Sequence, residues 1–70
     1  MISYEMIKNL KAYEYLVDLA VEDKAEGNFF GASALIRRYE ELVEEELDHW
    51  HVDWAYAYSL GLVEDTIGCY

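Results

Sequence analysis

Glu46-Leu47-Asp48-His49 sets a carboxylate and an imidazole three residues apart. On a helix that spacing brings both side chains to one face, within reach of a single cation. It suits a transition metal such as iron, held together with glutamates from other helices. Glu14 is the candidate for the additional carboxylate. Two copies of the chain would then supply two such glutamates and two Glu-x-x-His pairs, enough ligands for a two-metal centre. Oxidase or iron-handling chemistry would follow. A plainer reading competes with it. The run Glu44-Glu45-Glu46 guarantees that a histidine at position 49 has a glutamate three residues before it, and a boundary histidine beside a helical carboxylate is the commoner arrangement.

No other catalytic set is visible. The glycines at 27, 31, 61 and 68 are too scattered for a phosphate-binding loop. Ser3, Ser33 and Ser59 lack a nucleophile's context, and Cys69 has no cationic neighbour to activate its thiol. The chain is therefore expected to have no catalytic residues of its own and no cofactor, with iron or another transition metal at Glu14, Glu46 and His49 as the alternative.

Charge carries more of the signal. Fifteen acidic residues face 5 basic ones, for a formal net charge of −10. Glu14, Asp18, Glu22 and Glu26 recur every four residues, and Glu40, Glu41, Glu44, Glu45 and Asp48 cluster further on. Carboxylates four apart on a helix are separated by roughly 6 Å, a spacing comparable to that of nucleic-acid phosphates. Such rows destabilise a helix slightly and disfavour direct contact with nucleic acid or anionic membranes. They complement a basic surface on a protein partner. The plain alternative is a solvated face that keeps an aromatic-rich chain soluble. In size and charge alone, the chain resembles the small acidic inhibitors that phages and mobile elements direct at nucleases and other host defence proteins. That resemblance implies a nucleic-acid mimic that occludes a basic groove, with Glu14, Asp18, Glu22, Glu40, Glu41, Glu44, Glu45 and Asp48 as contact residues, acting in the (host) cytoplasm.

The elements that must position these groups read as helices throughout. Proline is absent. Ser3 caps a first helix over Tyr4 to Glu26, whose Met6, Leu10, Tyr13, Val17 and Ala20 recur at helical period, broadened by Leu16 and Val21. Gly27 ends it in a left-handed conformation and Asn28 caps the next. From Ala32 to Leu60 either one long helix or two are possible, with a break near His51-Val52 and Asp53 as a second cap. Ile36, Val43, Leu47, Trp50, Trp54 and Ala57 form the apolar stripe, with Leu35, Tyr39 and Leu42 widening its first half. Small residues at Gly31-Ala32-Ser33-Ala34 would allow close helix approach. Residues 61–70 form a short tail, anchored by Leu62, Val63 and Ile67.

The fold class expected is all-α: one domain over residues 1–70, an antiparallel helical hairpin with a short third helix or helical extension. A chain of 70 residues that is 54% hydrophobic and 16% aromatic carries more apolar surface than a lone unit of this size hides. A homodimeric bundle is expected for that reason. Trp50, Trp54 and Tyr58, at steps of four, stack along one side of the helix and are the candidate interface, as a homodimer seam or a partner patch, with plain core packing as the alternative. No basic-then-apolar leader and no membrane-length apolar run is seen, so a cytoplasmic protein is expected. A structural assembly subunit remains the third functional reading.

Overall fold

The computed structural model describes residues 2–66. It is all-α, with no strand among those residues: α1 Tyr4–Tyr13, α2 Tyr15–Ala25, α3 Phe29–Trp50 and α4 Trp54–Ser59. The sequence calls on Ile67 and Cys69 lie outside the described residues. The dimensions are 40 × 18 × 16 Å, set by α3, whose 22 residues span about 33 Å.

Two of the helices, α1 and α3, start at side-chain caps. The Ser3 hydroxyl accepts the Glu5 N–H at 3.2 Å, and the Asn28 carboxamide oxygen accepts the Gly31 N–H at 3.0 Å. Gly31 serves that cap and also leaves room for a side chain of α2. A Cβ there would lie 2.5 Å from Asn28 Nδ2 and 2.7 Å from an Asp23 carboxylate oxygen. Asp53 occupies the position before α4 with extended backbone, yet its side chain makes no capping bond.

Three helices end in the same motif. Behind α2, α3 and α4, the residue with positive φ is Gly27 (86°), His51 (57°) and Gly61 (74°). In each case the next residue's N–H reaches back to the helix: Asn28 to the Asp23 carbonyl, Val52 to Leu47 and Leu62 to Ala57, at 2.8–3.0 Å. This double closure satisfies carbonyls that the helix leaves open. The helical reading from residue 32 to 60 thus divides into two helices at His51.

The first arm departs from the expected single helix at Glu14. Its dihedrals remain helical (φ −60°, ψ −27°), but its N–H bonds the Lys11 carbonyl three residues back, and Val17 bonds Glu14 in the same way. This tightening overwinds the turn, so later side chains rotate relative to earlier ones. Leu16, Val17 and Ala20 are buried, while Val21 turns outward. The expectation that Val21 widens the core face is corrected on that ground.

The core joins Met6 and Leu10 of α1, the α2 trio, and Ala32, Ile36, Tyr39, Val43 and Leu47 of α3. α2 packs chiefly on α3, and α1 continues the same contact. Ala57 and Val63 close the core from the α4 side, and Thr66 is buried beside them. Tyr39, fully buried, is the link: its hydroxyl oxygen accepts the Glu64 N–H at 2.8 Å.

Candidate functional site

Glu46 sits on the half-buried margin of α3. One of its oxygens, Oε2, accepts from Trp50 Nε1 at 2.6 Å, one turn along, and from Asn9 Nδ2 at 3.0 Å on α1. Hydrogen bonds to an ionised acceptor are short and strong, so this carboxylate ties α1 to the last turns of α3. His49 is exposed, and its ring meets Trp50 edge-on, with centroids 5.0 Å apart. Glu14 lies elsewhere. Together with Glu64 it is close enough to the Tyr39 hydroxyl to oppose ionisation there, and Tyr39 is about two helical turns from Glu46. A single chain therefore does not gather Glu14, Glu46 and His49. Among the described residues no three His, Cys, Asp or Glu side chains form a group suited to a metal ion.

The Tyr39 phenol is held above its ordinary range, first by burial and then by the Glu64 and Glu14 charges; the Glu64 N–H opposes them. Glu40 is also raised, first by burial and then by Glu44, with Arg37 acting in the other direction. Glu40 and Glu14 are thus half-buried members of the expected acidic rows. The other contact candidates, Asp18, Glu22, Glu41, Glu44, Glu45 and Asp48, are all exposed. Arg38 pairs with Glu41 at 3.5 Å across one turn of α3, with both side chains well solvated.

On α3, successive residues rotate by about 100°. Glu40, Glu41, Glu44, Glu45 and Asp48 therefore share a sector of roughly 140° directed away from Val43 and Ile36. They span about 12 Å of axis, close to one carboxylate per 3 Å. A nucleic-acid strand carries one charge per about 3.4 Å. The first-arm row is less continuous, because Glu14 is drawn toward Tyr39.

The stripe Trp50-Trp54-Tyr58 does not run along one helix side, because the left-handed His51 and extended Asp53 separate Trp50 on α3 from the other two on α4. Trp50 and Trp54 are half-buried against the core and Tyr58 is half-exposed. Sequence reasoning missed a different aromatic feature. Phe29 and Phe30 open α3, and Phe30 is 93% exposed. Beside them a shallow apolar depression of about 370 Å³ is lined by Ser33, Ala34 and Arg37. The sequence carries a weak signal for it, since Phe30 has only Gly27, Glu26, Ser33 and the small Ala34 three or four residues away. No described helix is long and apolar enough to cross a membrane. Comparison of the chain with protein-family models, curated proteins and solved structures returns no match.

Proposed function

We propose that the chain is a non-catalytic, protein-binding domain: a small acidic inhibitor of the counter-defence kind, which occludes a basic nucleic-acid-binding surface on a partner protein in the cytoplasm. In this reading the unit is an antiparallel helical hairpin that associates as a homodimer. The observation that supports it is the outer face of α3. Glu41, Glu44, Glu45 and Asp48 are exposed on a helix whose core face is complete without them, at a linear charge density near that of a nucleic-acid strand. Carboxylates placed so would occupy a phosphate-binding groove by complementarity and exclude the nucleic acid sterically.

The metal-binding reading ranks lower because Glu46 already accepts two hydrogen bonds through one oxygen. Ligation through that oxygen would compete with the Asn9 bond between α1 and α3, and the described residues of one chain bring no third ligand to Glu46 and His49. A structural assembly role, the third reading of the sequence, draws on the exposed Phe29 and Phe30 and moves ahead of the metal site.

The test is charge reversal of Glu41, Glu44, Glu45 and Asp48 to lysine in the full chain. Partners captured by the parent protein are loaded with labelled nucleic acid, and displacement by each form is followed at rising salt. The parent should displace the nucleic acid and lose affinity as salt rises; the reversed variant should do neither. Displacement by both forms alike, or an affinity indifferent to salt, would reject the proposal.

A further inference from the structure

The outward side of the first arm is organised differently from α3. Tyr15 is 57% exposed and Leu19 is 42% exposed, one turn apart, so two large apolar side chains face solvent at mid-arm. Lys8 and Lys11 precede them and Glu22 and Glu26 follow, all exposed. At about 100° per residue, these four charged positions and Leu19 fall within roughly 40° of Tyr15. The tightening at Glu14 rotates the halves by a few tens of degrees more, which leaves one continuous stripe about 27 Å long from Lys8 to Glu26. Its order is basic, apolar, acidic.

A stripe with that order is complementary to its own reverse. When two copies lie antiparallel with positions summing to 33 or 34, Lys11 meets Glu22 of the second copy and Lys8 meets Glu26. Tyr15 meets Leu19 at the centre, and the two-fold axis repeats every pair. A parallel arrangement would set Lys8 on Lys8 and Glu26 on Glu26. We propose that the outer face of α1–α2 is a self-association seam, through which two copies of this chain pair antiparallel.

The high net charge does not forbid this. The acidic face of α3 lies on the other arm of a molecule 18 Å across, beyond the ~8 Å screening length of physiological salt. A single-arm seam buries less than the ~1,200 Å² of a standard stable interface, so the dimer should be weak and concentration-dependent. The seam rests on the homodimer part of the functional reading and on nothing in its inhibitor part.

The experiment is a charge swap read by sedimentation equilibrium and native mass spectrometry, with circular dichroism confirming that each variant is helical. One variant carries Lys8→Glu and Lys11→Glu; the other carries Glu22→Lys and Glu26→Lys. Each alone should dimerise at least about tenfold more weakly than the parent, since four attractive pairs become repulsive. Mixed in equal amounts, the two should restore a heterodimer. The second variant discriminates sharply. It lowers the overall negative charge, so general repulsion predicts tighter self-association where the seam predicts weaker. A parent chain that dimerises while both variants do so equally well would overturn the seam and keep the homodimer. A parent that stays monomeric up to roughly 500 µM would overturn both. Failure of the mixture to form a heterodimer would also count against the seam.

Discussion

Replacing Tyr39 with phenylalanine removes one oxygen atom and tests how the tail is held. The ring is fully buried between the arms, so Phe retains its packing. What disappears is the acceptor for the Glu64 N–H, now at 2.8 Å. A net hydrogen bond contributes about 0.5–1.5 kcal/mol, and a buried donor left unpaired costs about 1–3. The Glu64 side chain is exposed, so water can reach the freed N–H after a small shift, and the expected loss is about 1 kcal/mol. For a domain of this size that lowers the Tm by about 4–8 °C. Tyr39→Ala, by contrast, removes the ring and should cost about 3–5 kcal/mol, close to the whole stability of a 70-residue chain. The pH dependence provides an independent sign. Tyr39 is raised in the folded state, so its contribution is complete below the ordinary phenol value near 10. It is lost as pH climbs from there through the folded value. Urea titrations at neutral and alkaline pH, with amide exchange at Glu64, measure both effects. In the Phe variant the alkaline loss should shrink and the Glu64 amide should exchange faster. Unchanged stability together with unchanged Glu64 exchange would show that the tail is held by Val63 and Thr66 alone.

The remaining two predictions concern the turn after α3 and the bond between α1 and α3. His51 adopts φ 57° without being glycine, a conformation that costs an L-residue about 1–2 kcal/mol. Glycine there loses some backbone entropy in return, so His51→Gly should stabilise the chain by about 0.5–1 kcal/mol in thermal melts, and a destabilised variant would mean that the imidazole itself holds the turn. Glu46→Ala leaves the Asn9 and Trp50 donors unmatched and should cost about 2 kcal/mol, while Glu46→Gln, which can still accept, should cost less than half of that. Equal behaviour of the two in urea unfolding would mean that the link between α1 and α3 contributes little.

Legibility followed the range of the interactions involved. The ends at Gly27 and Gly61 could be read because glycine is the residue that tolerates positive φ without strain. The break at His51 was readable as a place but not as a conformation, since histidine adopts it against its own preference. The local pattern sets Glu46 beside His49, whereas its bond within the helix goes one residue further, to Trp50. The partner that fixes it, Asn9, is 37 residues away in sequence. The shift at Glu14 leaves helical dihedrals and no signature in residue type, so spacing alone places Val21 inward. Trp50 and Trp54 keep helical spacing across a turn that is not helical, which is why a period alone overstated their stripe.

Two separate electrostatic arrangements coexist in this small chain, and their placement makes them compatible. The α3 acids are alike in sign and, on the proposed reading, complement a basic molecule. The stripe on the first arm has both signs in an order that its own reverse completes. If both readings hold, pairing through α1–α2 leaves the outer faces of α3 open in each copy and directs them away from each other. The dimer would then present two acidic faces on opposite sides, and a basic partner with two grooves at that spacing would be held by both at once. Even a weak seam would matter there, because the second contact becomes intramolecular once the first has formed.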